Sequence, residues 1–458
     1  MKKISCLSLL IVLAACGGLQ EKISPTAILI SDVNFIEVRT GKLIEKQHIV
    51  IDSGKIKKIA PSISNINAYH IKIDGTGKYL MPGLAEMHAH IPPPETGWVR
   101  QQEVLFLYVS QGITTIRGML GDPAHLNLRQ MTNEGNILSP RIFTASPSLN
   151  GNSVTTIEEA IEKVTAYEKA GYDFLKIHPG IQREVFGQVV KTANDLGIPF
   201  AGHVPVDVGI RNALQSNYAS IDHVDGFLEG LVPESVNIAP TENGFFGYAF
   251  TPLADIGKVD ELVQMAKKHK VWIVPTQSLF ERWFAPIDAD ELLKQPEMIY
   301  MPASTLIDWK KRKEASTIED PTFNEAQWKK FDSIRKHLIW ALNKDGHGML
   351  LGSDAPQLFN VPGFSIHHEI QGMLGAGMTP LEIIQSGTIH PAAYFRMEDT
   401  FGEIKEGLDA DLVLLDSNPL ENMSALKEIS GVLLRGRWIP REEIEEKLAI
   451  VAKNAAQN

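Results

Sequence analysis

The chain has 458 residues, a formal net charge of -11, 44% hydrophobic residues and 22% charged residues. These are the proportions of a globular protein, and the length accommodates a (β/α)8 barrel plus a smaller domain. The acidic balance argues against nucleic acid as the main partner, because phosphate binding needs a basic surface.

Lys2 and Lys3 give the start a positive charge, and the apolar run from Leu9 to Ala15 is too short to span a bilayer. The run ends in Leu13-Ala14-Ala15-Cys16-Gly17, which resembles a bacterial lipobox. That resemblance implies a signal peptide at 1–16, lipid on Cys16 as the mature N-terminus, and a Gly-containing tether at 17–26. Several acyl chains on one Cys anchor firmly. The expectation is a protein held to a membrane by its N-terminal lipid, on the extracytoplasmic side of the bacterial cell envelope. A plain secretory signal with a chance Cys is the competing reading. Cys6 leaves with the signal, so the mature chain has no internal disulfide.

From Ala27 to about Leu80 the chain reads as short strands. Ala27–Ile30 and Ile49–Asp52 are rich in β-branched residues, and Gly41, Gly54, Gly75 and Gly77 punctuate turns. From about Met81 to Glu398 short apolar strands alternate with helical stretches such as Ile157–Ala170 and Phe186–Leu196, the pattern of βαβ units. Eight strands are predicted: Pro82–His90, Gly112–Arg117, Arg141–Ser146, Phe174–His178, Pro199–His203, Ser220–His223, Val271–Thr276 and Gly348–Asp354. Two long connections, 226–270 and 277–347, follow strand C-terminal ends. They hold Phe245, Phe246, Tyr248, Phe280, Trp283, Phe284, Tyr300, Trp309 and Trp328. They read as helical lids over a pocket, with most of these aromatics serving as the lids' own small cores. Asp411–Leu415 and Val432–Trp438 are again β-rich. The predicted fold is therefore α/β: a (β/α)8 TIM-like barrel at 81–398, with a composite β-sandwich domain built from 27–80 and 399–445.

Metal-ligand residue types fall at the C-terminal ends of these strands, the active-site face of such barrels. His88 and His90 end the first strand, and an i, i+2 pair points to one side of a strand. Lys176 lies in the fourth, His203 ends the fifth, His223 the sixth and Asp354 the eighth. Any single His among the 14 is ordinary. Six such groups at matching ends of five strands are not.

The segments Met81–His90, Gly171–Ile177, Gly202–Val204, Ile221–His223, Leu351–Ala355 and Gly402–Leu415 together resemble the amidohydrolase superfamily, in its binuclear metal-dependent branch. Within it the prolidase-like, imidazolonepropionase-related group looks nearest. The resemblance implies two divalent ions, suited by zinc, with manganese, iron and cobalt open. It implies a carbon dioxide-derived carbamate on Lys176 shared by both ions. His88, His90 and Asp354 would complete one ion's shell, and His203 and His223 the other's. A hydroxide would bridge the ions, and Asp354 would take its proton and pass it to the leaving nitrogen. A free lysine ammonium is only a donor, so the carbamate is what makes Lys176 a ligand.

Three positions depart from that pattern. Mononuclear members carry a Glu at the position of Val206, many prolidase-like members a Tyr at Pro205, and most members an Asp at Glu86. The first favours the two-metal reading, the second puts proline specificity in doubt, and the third is conservative. Weaker substrate-contact candidates are Arg117, through its planar fork, and His178, His367 and His368. For Arg117 a salt bridge to Asp122 or another acid is equally compatible.

The implied activity is hydrolysis of an amide C–N bond in a small molecule such as a dipeptide or N-acyl amino acid. Hydrolysis of a cyclic amide or lactone, or deamination, would use the same fold. A ligand-binding lipoprotein on a degenerate barrel is the non-enzymatic rival. Oligomeric state is open, a homo-oligomer among the options.

Overall fold

The computed structural model of the protein describes residues 23–457. Cys16 and the 1–16 signal lie outside the described residues, as does 17–22 of the tether. Among the described residues no helix is long and apolar enough to cross a membrane.

The first strands are β1 (Ile28–Glu37), β2 (Lys42–Asp52), β3 (Lys55–Ala60), β4 (Ile71–Asp74) and β5 (Tyr79–Pro82). At the other end come β13 (Leu412–Leu415), β14 (Ile429–Leu434) and β15 (Arg437–Pro440). They form one hydrogen-bonded sheet in the order β15-β14-β13-β5-β1-β2-β3, with β4 also on β1. The two chain ends meet where β13 runs antiparallel to β5, Leu414 opposite Leu80. Just before β13 the chain bonds back to the β2–β3 turn, through Ile56 N to Leu408 O and Ala410 N to Gly54 O. The sheet thus closes around Ile28, Ile30, Ile49, Ile56, Leu80, Leu412, Leu414 and Leu433, all buried. Alternating apolar residues from distant segments fill one core, which is why neither terminal piece could bury its face alone.

The barrel begins at Gly83, where the single strand expected at Pro82–His90 divides into β5 and β6 (Leu84–Ala89). A side chain at Gly83 would collide with Thr114, so the crossing from sheet to barrel needs a glycine. β6, β7 (Ile113–Gly118) and β8 (Arg141–Thr144) pair in parallel. So do β9 (Leu175–Ile177), β10 (Phe200–Gly202), β11 (Ser220–Asp222) and β12 (Trp272–Val274). Single bridges Ala145–Phe174 and Leu149–Ile177 join the two sheets.

The eighth strand is corrected. The segment 348–354 is extended but forms no ladder, touching β12 through Ile273–Met349 and the end of β6 through Ala89–Ala355. A side chain at Gly352 would lie 2.8 Å from His88 N, so the segment's close approach to β6 needs a glycine there. Asp354 then leaves the extended region at φ 63°. Leu350 N to Ile273 O at 2.8 Å and Met87 N to Leu351 O at 2.8 Å still close the barrel.

The long connections are largely helical. The first includes Phe227–Gly230, Phe245–Leu253 and Val259–Lys268; the second includes Gln277–Trp283, Ala303–Ser316 and Glu325–Asp345. Their aromatics meet each other: Phe245 lies 4.5 Å from Trp283 and 4.6 Å from Phe284, and Tyr248 5.5 Å from Phe331. A helix at Arg441–Ala455, not anticipated from the sequence, follows β15.

Candidate metal centre

Parallel strands of one barrel end on one face, so residues far apart in sequence converge there. The structure brings His88, His90, His203, His223, Lys176 and Asp354 to this face. Ring centroids step from His90 to His88 in 5.4 Å, His88 to His223 in 4.6 Å and His223 to His203 in 4.6 Å. His90 Nε2 lies 2.7 Å from Asp354 Oδ1, His88 Nε2 3.5 Å from the same oxygen, and His223 Nδ1 3.9 Å from Asp354 Oδ2. Ligand atoms of His88, His90 and Asp354 all lie within 4.8 Å of one another, close enough to share an ion. His223 and Asp354 both hold the left-handed conformation, at φ 66° and 63°. Such backbone strain is tolerated where surrounding contacts over-determine it.

Outer partners orient three of the imidazoles. Asp222 Oδ2 lies 2.9 Å from His88 Nδ1, off the line of an ideal hydrogen bond. Asp225 Oδ2 lies 3.1 Å from His203 Nδ1, and Thr276 Oγ1 2.8 Å from His223 Nδ1. Asp225 and Thr276 occupy Nδ1 of their histidines and leave Nε2 for an ion, the arrangement by which metal-binding histidines are held, and Asp222 stands at the same atom of His88. Burial, reinforced by neighbouring cationic groups, pushes His88 and His223 well below the ordinary imidazole range, so both are neutral as ligands must be.

Arg117 requires a correction. It is fully buried, and Nε donates to Met87 O at 2.7 Å. Nη1 donates to Ser220 Oγ and Tyr394 Oη, both at 2.8 Å, and Nη2 to both oxygens of Asp222, at 2.9 and 3.2 Å. Its fork is consumed inside the barrel, so it does not reach substrate. The acid it pairs with is Asp222, not Asp122, whose carboxylate instead caps the helix Pro123–Asn133.

His367 and His368 are tied down elsewhere. His367 Nε2 meets Gln111 Oε1 at 3.0 Å, and His368 Nε2 meets Glu297 Oε1 at 2.7 Å. The ring of His178 does join the cluster, stacked on His203 at 5.0 Å. Glu86 Oε1 accepts from His88 N at 3.0 Å and Ser353 N at 2.8 Å, and Oε2 accepts from Ser353 Oγ at 2.6 Å. It braces the first strand against the eighth segment. Its burial raises its pKa to about 8, so it gives up its proton less readily than an ordinary carboxylic acid.

Sequence reasoning missed Asp222, Asp225, Thr276 and Phe246. The two Asp flank His223 and could have been suspected from that spacing. Phe246 lies 5.7 Å from the His203 ring and 5.3 Å from the His223 ring, and nothing in the sequence distinguishes it from Phe245. Val206 faces away from the cluster, into a side cavity of about 330 Å³ that it shares with Val204, Ile210 and Phe250.

Lys176 stands apart. It has no exposed surface, and its Nζ has no hydrogen-bond partner. Burial lowers it from its ordinary 10.5 to about 8. A Cβ on Gly202 would collide with Ile177 O and lie 3.3 Å from Lys176 Nζ, so the glycine before His203 keeps that amine's space open. Buried amines are normally paired, since leaving one unpaired costs about 1–3 kcal/mol. A donor set of imidazoles and a carboxylate around a lone, readily neutral amine therefore fits divalent cations.

A family model described as the Amidohydrolase family matches residues 79–439. Adenine deaminase of Mesorhizobium japonicum is 24% identical over 208 residues, 39% of this chain and 34% of that enzyme, so the match spans about a third of its length. Among solved structures, bottromycin amidohydrolase superposes with a TM-score of 0.71 at 21% identity, covering 94% of this chain and 91% of its own. A Xaa-Pro dipeptidase with bound methionine in its active site gives 0.63 at 21% identity, covering 90% and 100%. Both structural likenesses speak to the fold. The family match runs from β5 through the whole barrel, every residue of the cluster included, into β15, and on that extent the chain belongs to the Amidohydrolase family.

Proposed function

We propose that this protein is a metal-dependent hydrolase that cleaves the amide C–N bond of a small molecule, such as a dipeptide or an N-acyl amino acid. The observation that carries the reading is the partnerless, buried Nζ of Lys176 among the four histidines. As a neutral amine it can add to carbon dioxide and release a proton to give a carbamate, whose one negative charge is shared by two oxygens that suit two ions. His88, His90 and Asp354 would hold one ion, His203 and His223 the other, and the Lys176 carbamate both. Bound ions, zinc by donor type, would supply Lewis-acid polarisation of the substrate carbonyl and a water of lowered pKa.

The chain's own groups do the rest. Asp354 takes the proton of the attacking water on its carboxylate and returns it to the leaving nitrogen. Asp225 holds the Nδ1 proton of His203, and Asp222 and Thr276 stand at Nδ1 of His88 and His223 and orient those rings. Phe246 keeps bulk water off the His203 and His223 side. A deaminase, an amidohydrolase and a dipeptidase, the relatives named above, all break C–N bonds. That supports the bond type and leaves the substrate to experiment. Placement in the prolidase-like group is part of this reading, and Pro205 argues against strict proline specificity.

The test is hydrolysis of a panel of dipeptides and N-acyl amino acids by metal-loaded protein, with Lys176→Ala as control. Cleavage by the native chain and loss in the variant are expected; full activity in Lys176→Ala would refute the carbamate. Ammonia release without chain cleavage would instead select the deaminase reading favoured by the adenine deaminase match. We also propose that lipid on Cys16 holds the enzyme to a membrane of the bacterial cell envelope, on its extracytoplasmic (periplasmic or cell-surface) face. Cys16→Ser should then move it from the membrane to the soluble fraction.

A further inference from the structure

Five histidine rings line the barrel mouth, and four suffice for the metal set. The fifth, His178, stacks on His203 with centroids 5.0 Å apart and planes inclined by 26°. Its position alone allows it to be a further ligand. Its hydrogen bonds do not.

The chain of bonds begins at Asn150. Its Oδ1 accepts from Asn152 N at 2.8 Å and from Ser153 N at 3.0 Å, which fixes which end of the amide is oxygen. Its Nδ2 therefore donates, and Ser148 Oγ accepts at 2.8 Å. Ser148 Oγ also lies 2.6 Å from His178 Nδ1. A hydroxyl has one proton, and among the described residues the Ser148 hydroxyl has no acceptor other than this nitrogen. It donates to Nδ1, so the imidazole's own proton sits on Nε2. Nε2 itself bonds to no group of the protein among the described residues.

We propose that His178 is a substrate-binding donor locked by Asn150 and Ser148, its Nε2–H taking the carbonyl or carboxylate oxygen of an amide held beside His203, and that it is not a metal ligand. A protonated Nε2 has no lone pair to give a cation, whereas it is an ideal neutral donor to oxygen. Ser148 and Asn150 act through His178 and are positioning residues. The proposal rests on the hydrolase reading above and adds to it a selection rule. The favoured substrates are amides with an acceptor oxygen near the second-ion side, such as N-acyl amino acids with their free carboxylate.

The experiment uses the metal-loaded full chain labelled with nitrogen-15 histidine, with His178→Gln identifying the signals. Long-range proton–nitrogen correlation should show His178 protonated on Nε2, and Ser148→Ala should raise the Nδ1–H form. Saturating N-acetylglycine should shift the Nε2–H resonance. In His178→Phe the bound metal should match the native chain, while KM for the panel amides rises about tenfold, more than kcat falls. A proton on Nδ1 in the native protein, an Nε2–H unmoved by N-acetylglycine, or loss of an ion from His178→Phe would each overturn the proposal. If no amide is cleaved yet N-acetylglycine still moves Nε2–H, the reaction assigned above fails and the contact stands.

Discussion

Among the described residues two lysines are buried, one at the barrel mouth and one in the second long insertion. Lys176 and Lys313 have 0% and 1% exposure, and burial pushes both from 10.5 to about 8. Lys313 Nζ donates to the carbonyls of Arg282, Trp283 and Ala285 at 2.9, 3.1 and 2.9 Å. It pins the end of the helix Gln277–Trp283 by satisfying carbonyls that the helix itself leaves open. Lys176 has nothing. Equal burial and equal shift thus accompany opposite roles, and only an accounting of partners separates them. A satisfied buried cation reads as architecture, while an unsatisfied one beside four imidazoles and an aspartate reads as a place kept for something else.

The contrast can be broken most forcefully at Lys176. Lys176→Met should cut turnover by about three orders of magnitude or more and lower bound metal, measured by elemental analysis. In chelated protein the same change should stabilise the fold by about 1–3 kcal/mol in urea titration, because it removes a buried amine without a partner. The pH dependence follows with a definite sign. The folded value of about 8 lies below the unfolded 10.5, so the unfolded chain binds more protons between them. Metal-free protein should therefore gain stability as pH climbs from about 8 toward 10.5, and Lys176→Met should lose that slope.

Arg117→Met comes next. It leaves Asp222 buried without its cation, at a cost of about 3–5 kcal/mol. It also loosens the hold on His88, so metal affinity should fall about 10–100-fold in competition with a chelator. Lys313→Met should go the opposite way from Lys176→Met. Three buried carbonyls lose their donor, so stability should drop by about 2–4 kcal/mol while turnover per folded molecule is kept. The smallest effect belongs to His367→Gln, which keeps a partner for Gln111. Here kcat/KM should be unchanged and stability should shift by about 1 kcal/mol or less.

Much of the site was legible early because its signals are local. The i, i+2 pair His88 and His90, the lysine inside Phe174–Ile177 and the His and Asp at strand ends need only strand periodicity and the rule that barrel strands end together. Arg117 misled because its strand position is right and its partner lies 105 residues away. The eighth strand misled because Gly348–Asp354 has strand composition, while its pairing is confined to single bridges and it ends in the left-handed turn at Asp354. His178 was legible as a neighbour of the site but not as a donor, because its proton is placed by Ser148 and Asn150.

What the order of residues determined by itself was the alternation of strands and helices, the pairing of two β-rich ends, and which ligand-type side chains stand at strand termini. Those follow from the repeat of apolar residues over a few positions, a short-range property. Tertiary structure alone decided which of those side chains are satisfied. Hydrogen-bond partners and buried volume are supplied by residues remote in the chain, so the solitude of Lys176, the captivity of Arg117 and the proton on His178 exist only once the barrel has closed.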